Sequence, residues 1–528
     1  MRPSRAGSAP IWIAVYAGVF AALVLAHHNL LRLPYYWDEA GYYIPAAYDF
    51  FRIGTLIPHS TLSNAHPPLP SLWLAAWWKL FGFSPLVTRV AVASVAALGI
   101  LAVYRLSRNF IDARGAIAVA LLTAVYPVWF AQSTLAHADI FAAAWTLWAL
   151  SLLARRVPNV GGAVALFSIA VLSKETAVIT PVALAGWEAF EFFRQPRSTA
   201  DTLDRRVHAR RIHARRAALL LAPVLPLSLW YLYHWHKTGF IFGNPEYLRY
   251  NAQGTFHAAR IFYALVERFW HVTGHMEMFV PSILTLALWL LPRLPGVPRA
   301  PREPRNLLIV AFVANLLAFS VVGGALLTRY LLPLYPLVLL FYMSFWQGRT
   351  RRWPWAAAVT AIVFVIGWTA ELPYRFAAED NLSYRDAIIV QQQAIAVLLA
   401  HNPHPVVVTA WPVSDYLTKP ELGYVSAPVQ VIPVADFSLE PLLTARTSGG
   451  YNSALLFSLK DPQAPARGPL SRMFEKTNQQ YFGDHSDLPP VFAARLLGGE
   501  LIWQGSQRQK WAAVMVTDAP VNARLQKP

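Results

Sequence analysis

Apolar residues along the chain gather into long runs with short polar stretches between them. About eleven of these runs approach the roughly 20 apolar residues that a helix needs to cross a bilayer core. They lie near 11–30, 85–104, 115–131, 138–154, 160–175, 176–193, 217–235, 276–292, 306–323, 329–347 and 354–372. The stretch 69–81 is apolar but too short to span. With Trp73, Trp77 and Trp78 it predicts a helix lying at the membrane surface. Two further surface helices are expected near 40–54 and 255–271. The second lies in an aromatic-rich stretch, 237–275, that suits either a lid or a plain interfacial helix. From about 373 the pattern changes and no spanning run remains. A helix is expected near 383–400, then a strand at 406–409, a short helix and strand around 424–432, another strand near 453–458, and a closing hairpin at 500–517. The predicted fold is a mainly α-helical polytopic membrane domain of about 11–13 spans, residues 1–372, followed by a soluble α/β domain, residues 373–528.

Composition strengthens the membrane reading. Hydrophobic residues make up 56% of the 528 positions and charged residues only 14%, against about 25% charged in an ordinary soluble domain. The formal net charge of +17 would suggest nucleic acid in a soluble protein. Its distribution points elsewhere. With a cytoplasmic amino terminus, the inner segments carry Arg2 and Arg5, then Arg105, Arg108 and Arg114, then Arg155 and Arg156, then the dense 194–216 loop, and then basic residues in 293–305 and 349–352. The charge therefore reads as an orientation signal, with anionic lipid or nucleic acid as the weaker reading of the 194–216 loop. The first run is expected to be an uncleaved anchor rather than a signal peptide, because it is long and the chain downstream of it is also strongly hydrophobic. The chain has no cysteine, so disulfides, thiolate nucleophiles and Cys-ligated metals are excluded.

Ionisable residues at or within spans are costly and are functional candidates by default. Asp38 and Glu39 follow the first run, and His66 precedes the interfacial helix. Arg89 opens the second run, His137 and Asp139 the fourth. Lys174 and Glu175 sit at the turn between the fifth and sixth, and Arg329 and Tyr330 open the tenth. With a cytoplasmic amino terminus all of these fall on the outer face, while the inner face holds almost only arginine. Several carboxylates with cations and aromatics suit group transfer from an anionic leaving group. Cations hold a phosphate, and a carboxylate takes the proton of an attacking hydroxyl. Tyr35, Tyr36, Trp37, Tyr42 and Tyr43 suit stacking on sugar rings, although an interfacial aromatic belt accounts for most of them.

These residues also carry a family resemblance. Tyr36-Trp37-Asp38-Glu39-Ala40-Gly41-Tyr42-Tyr43 resembles the Asp-Glu motif of the C-type glycosyltransferases. Ala65-His66-Pro67-Pro68-Leu69, Ser173-Lys174-Glu175-Thr176 and Arg329-Tyr330-Leu331-Leu332-Pro333 also match, in order. The nearest branches are the lipid A aminoarabinose transferases and the protein O-mannosyltransferases, over roughly residues 10–372. The resemblance implies transfer of a sugar from a polyprenyl-phosphate donor, with inversion, to a lipid, glycan or protein acceptor at the outer face of a bacterial-type cytoplasmic membrane. The carboxyl-terminal domain would lie outside that membrane. No nucleic-acid partner is implied. The resemblance places Asp38 at the reaction centre, Asp139 and Lys174 nearby, and Tyr330 on donor phosphate. Where the aminoarabinose branch has Glu-Lys, this chain has Ala65-His66, so His66 would take over phosphate or metal contact.

Each candidate has an expected role and a plainer alternative. Asp38 is the base or the acceptor-orienting carboxylate, against capping of an interfacial helix. Glu39 is a second carboxylate or a first-turn helix charge. Asp139 shares the task of Asp38 or pairs with a cation. Lys174, Arg329 and Tyr330 hold donor phosphate, with His66, Arg89, His137 and Glu175 completing the substrate site. Arg89 is also suited to structural pairing. His66 and His137 are the candidate ligands for a divalent metal, against ordinary hydrogen bonding. No cofactor is otherwise implied. A lipid-linked substrate transporter or flippase is the competing class, and a ligase or polymerase of lipid-linked glycans is the competing enzyme. Transporters show internal repeats and polar sites at the midplane. This chain shows no such repeat, and its polar residues gather at one face.

Overall fold

The computed structural model describes residues 9–194, 203–245, 256–297, 301–322, 325–458, 468–482 and 486–517. Contacts divide the chain into two compact units. One comprises residues 1–31 and 46–368, and the other residues 32–45 and 369–528.

The first unit is helical, and each of the eleven apolar runs falls on one helix or on two in succession. Among the described residues, three helices are long and apolar enough to cross a membrane: Pro85–Ser107, Val207–Thr238 and Arg302–Val321. Shorter apolar helices occupy Pro10–Ala26, Ala113–Val125, Ala138–Leu153, Val160–Ser173, Phe279–Trp289 and Trp353–Gly367. Helices at Ile179–Arg194 and Tyr335–Arg349 fill the remaining runs.

Local chemistry sets where these helices start and stop. Ser84 Oγ accepts from Val87 N at 3.3 Å and Pro85 follows in the first turn, which begins Pro85–Ser107. Asp112 Oδ1 caps Ala113–Val125 by accepting from Gly115 N at 2.7 Å. The run at 115–131 is not one helix. Pro127 forces Tyr126 into extended backbone, ψ 126°, and a second helix begins at Pro127 and ends at Gln132. The helix Val160–Ser173 ends where Lys174 turns extended, and a 3₁₀ turn, Glu175–Val178, leads into Ile179–Arg194. Most of the segment expected as a basic loop at 194–216 is helix Leu203–Leu221, which a turn at Ala222 and Pro223 joins to Val224–Thr238 within the long stretch Val207–Thr238, while residues 195–202 fall outside the described positions. The interfacial expectations at 69–81 and 255–271 correspond to helices Leu69–Phe81 and Ala258–Thr273. The expectation at 40–54 corresponds to a π-helical turn, Glu39–Tyr43, continuing as Ile44–Ile53.

Small residues set the packing between helices. Pro85–Ser107 buries Ala91, Ala93, Ala96 and Ala97 and packs along Ala138–Leu153, which buries Ala142, Ala143 and Ala144. A Cβ on Gly99 would lie 3.1 Å from the Trp129 ring and 3.3 Å from Ala144 Cβ, so glycine permits this approach. Without a hydrophobic drive between helices in lipid, close packing of small side chains supplies their association.

The second unit carries a five-stranded sheet of β1 (Val406–Ala410), β2 (Gln430–Val434), β3 (Ser453–Phe457), β4 (Glu500–Gln507) and β5 (Lys510–Val516), in the order β2-β1-β3-β5-β4. β1 is parallel to β2 and β3, and β5 is antiparallel to β3 and β4. β3 is buried at every position and β1 at all but its first, whereas Pro433 lies on the edge strand β2, where a missing N–H is tolerated. The helix Ser383–His401 packs on this sheet through Ile388, Ile395 and Leu398. The expected hairpin at 500–517 is the β4–β5 pair.

Candidate functional site

In the helical unit, three separate elements deliver a compact charged cluster. Asp139 lies in the first turn of Ala138–Leu153, Lys174 in the extended residue that ends Val160–Ser173, and Arg329 in the 3₁₀ turn Thr328–Leu331. Lys174 Nζ donates to Asp139 Oδ1 at 2.5 Å, and Arg329 Nε lies 3.4 Å from Asp139 Oδ2. All three side chains are buried. Tyr330 presents its ring face to the Lys174 ammonium, 4.2 Å from the ring centroid, and to the Arg329 guanidinium at 5.9 Å. Tyr335 Oη donates to Thr328 O at 3.1 Å and fixes the turn that carries Arg329.

Asp139, Lys174, Arg329 and Tyr330 line a small, partly open cleft, together with Thr146, Thr180, Asn315 and Phe319. Asn315 donates to Thr180 Oγ1 at 2.9 Å and to Ala311 O at 2.8 Å. Two cations and an aromatic face around one carboxylate can receive the oxygens of an anionic group. Arg supplies a planar fork and Lys a point charge.

Sequence reasoning missed Arg268 of the helix Ala258–Thr273. It is buried, donates from Nη1 to Leu327 O at 2.7 Å and from Nε to Phe319 O at 3.3 Å, and its guanidinium lies 5.9 Å from the Tyr330 ring centroid. Its aromatic neighbours in sequence give it the pattern of an interfacial cation. Asn315 and Thr180 were missed as well. An amide within the apolar run 306–323 was the available signal.

The other predicted residues of this unit are placed in two groups. His66 Nδ1 lies 2.8 Å from Glu175 Oε2, which joins the Ala65–Leu69 segment to the residue after Lys174. That segment is further held by Trp230 Nε1, which donates to Ala65 O at 2.8 Å. Arg89 and His137 hold the connection 132–137. Arg89 Nη1 donates to Thr134 O at 3.0 Å, and His137 Nδ1 meets Gln132 Oε1 at 2.8 Å. Among the described residues no group of three or more His, Asp or Glu side chains is placed to hold a metal ion.

Asp38 and Glu39 belong to the second unit. Trp37 adopts φ 51°, a left-handed conformation rare for a bulky residue, and Asp38 follows at the start of the π-helical turn. The Asp38 side chain does not cap that turn. Glu39 is buried, and its Oε2 accepts from Tyr36 N at 3.1 Å, so this carboxylate closes the loop on itself.

Two comparisons locate the chain among known proteins. A family model described as dolichyl-phosphate-mannose-protein mannosyltransferase matches residues 65–230. Solved structures match over nearly the whole chain. The ArnT of Cupriavidus metallidurans bound to undecaprenyl phosphate is 16% identical, covers 96% of this chain and 98% of its own, and superposes with a TM-score of 0.51. The apo state of the same protein is 17% identical at 0.50, with the same coverage. The chain shares its fold with these two ArnT structures. An oligosaccharyltransferase of Archaeoglobus fulgidus is 14% identical with a TM-score of 0.45, covering 84% of this chain and 67% of its own. No curated protein matches by sequence. The family match takes in His66, Arg89, His137, Asp139, Lys174 and Glu175 and stops before Arg329 and Tyr330.

Proposed function

We propose that this protein is a membrane glycosyltransferase that moves a sugar from a polyprenyl-phosphate donor to an acceptor, with inversion at the anomeric carbon. The observation that carries the reading is Asp139 held by Lys174 and Arg329 beside the Tyr330 ring at a cleft. A fold shared with a protein solved with undecaprenyl phosphate supports it, as does the family description over residues 65–230.

Lys174, Arg329 and Tyr330 take the donor phosphate, and Arg268 adds a cation beside the same ring. The acceptor hydroxyl oxygen forms a bond to the anomeric carbon as the bond from that carbon to phosphate oxygen breaks. Polyprenyl phosphate leaves with the electron pair. A phosphate leaving group needs charge stabilisation more than a proton, so the cations do the work of a general acid. Asp38 receives the acceptor proton or orients the acceptor. Asp139 sets the positions of the two cations. The basic segments between spans support a cytoplasmic amino terminus and an outer-face reaction, with the carboxyl-terminal domain on the outer side. The acceptor is a lipid, glycan or protein.

The test is incubation of the purified full chain, in detergent, with labelled polyprenyl-phosphate sugars and membrane fractions. Label is expected to move to an acceptor with inverted configuration and without any sealed vesicle. Movement of donor lipid across sealed vesicles, with no covalent transfer, would instead support a transporter.

A further inference from the structure

The segment that carries Asp38 is built into the carboxyl-terminal unit by contacts on both sides of that carboxylate. Before it, Tyr35 N donates to Leu422 O at 3.4 Å and Tyr424 Oη donates to Tyr35 O at 3.0 Å. Trp37 N, the amide immediately preceding Asp38, donates to Tyr416 Oη at 2.9 Å. Tyr416 is fully buried and stacks on Tyr424, ring centroids 4.1 Å apart and the ring planes nearly parallel. After Asp38, the Trp411 ring lies against Gly41 so closely that a Cβ there would be 2.7 Å from Trp411 Cζ2. Trp411 also meets the rings of Trp37 at 5.0 Å and Tyr42 at 6.1 Å. Tyr36 meets Tyr384 at 6.2 Å.

The left-handed backbone at Trp37 bears on this arrangement. Such a conformation is costly for a bulky residue and persists only where the surroundings over-determine it. Here the hydroxyl of Tyr416 holds the Trp37 amide, and the Trp411 ring closes over Trp37 and Gly41. Helix propensity at positions 37–43 does not account for this, because Gly41 is a poor helix former and the turn is π-helical.

We propose that Tyr416 and Trp411 are positioning residues for Asp38. In this view the carboxyl-terminal domain serves transfer directly by fixing the backbone on either side of the reactive carboxylate. The proposal rests on the reading of Asp38 as the group that acts on the acceptor. Neither aromatic residue touches substrate in this scheme. Each acts through the loop.

The experiment compares Tyr416→Phe, Gly41→Ala, Gly41→Ala/Trp411→Phe and Asp38→Asn in the full-length protein, by sugar transfer in detergent with thermal unfolding as the folding control. Tyr416→Phe keeps the stacked ring and removes the oxygen that receives the Trp37 amide. Its kcat is expected to fall on the order of 10–100-fold, as small misplacements of reacting groups do, while the donor KM stays within about twofold. Gly41→Ala is expected to lose most turnover, because its methyl collides with Trp411, and the smaller ring of Trp411→Phe is expected to restore it several-fold. In the Asp38→Asn background, Tyr416→Phe is expected to have no further effect. Wild-type kcat in Tyr416→Phe, or no recovery in the Gly41→Ala/Trp411→Phe pair, with Asp38→Asn inactive, overturns the positioning role alone. Normal turnover in Asp38→Asn overturns the underlying reading of Asp38. If Tyr416→Phe does not fold, the Gly41 and Trp411 variants decide.

Discussion

Lys174 Nζ stands 2.5 Å from Asp139 Oδ1, with both side chains buried and 35 positions apart in sequence. Removing one member of such a pair leaves the other charge without its nearest counterion, which typically costs about 3–5 kcal/mol. The two removals have opposite meanings for an anionic donor.

Asp139→Asn keeps the shape of the side chain and removes the negative charge between Lys174 and Arg329. Donor affinity is expected to hold or rise, because the two cations no longer share a carboxylate, while turnover falls. Equilibrium binding of labelled polyprenyl phosphate to the variant checks this. A tenfold loss of affinity, about 1.4 kcal/mol, would mean that the placement of Lys174 and Arg329 by Asp139 matters more to donor binding than the negative charge it brings.

Asn315 joins two helices through Thr180 and is buried at the cleft. Asn315→Leu leaves Thr180 without this donor and is expected to destabilise by roughly 1–3 kcal/mol, as loss of a buried hydrogen bond does. Thr180→Val is expected to cost less, because Asn315 Nδ2 retains Ala311 O. Thermal unfolding of the two variants in one detergent gives the order.

Arg89 supports the connection that precedes Asp139 through the Thr134 carbonyl. Arg89→Lys is expected to lower thermal stability and kcat together, with donor affinity unchanged within about twofold, because a positioning defect in the connection affects rate more than binding. A donor KM that rises with no change in kcat would place Arg89 on the substrate instead.

Much of the helical unit was legible from hydrophobic length, because a span must bury its own backbone hydrogen bonds and therefore has to be long and apolar. Its breaks were less visible. Pro127 divides one run into two helices, and Arg329 sits in a 3₁₀ turn rather than in the helix that begins at Tyr335. The pairing of Asp139 with both Lys174 and Arg329 depends on three distant elements, so sequence could nominate these residues but not join them. Arg268 was hidden for a related reason. A cation on an aromatic-rich amphipathic stretch reads as surface until the carbonyls of Phe319 and Leu327 are seen to receive it. The grouping of residues 32–45 with 369–528 had no local signal either, since it rests on Tyr416, Tyr424 and Trp411, more than 360 positions further along the chain.

In the proposed mechanism the Lys174–Arg329–Tyr330 cluster holds the phosphate of a polyprenyl donor. Its most direct measure is the dissociation constant of sugar-free polyprenyl phosphate for the wild-type protein and for Lys174→Ala/Arg329→Ala, in one detergent and at one salt concentration. A loss of at least about tenfold, or ~1.4 kcal/mol, is expected in a variant that remains folded by thermal unfolding. Equal affinity in the folded double variant would contradict it.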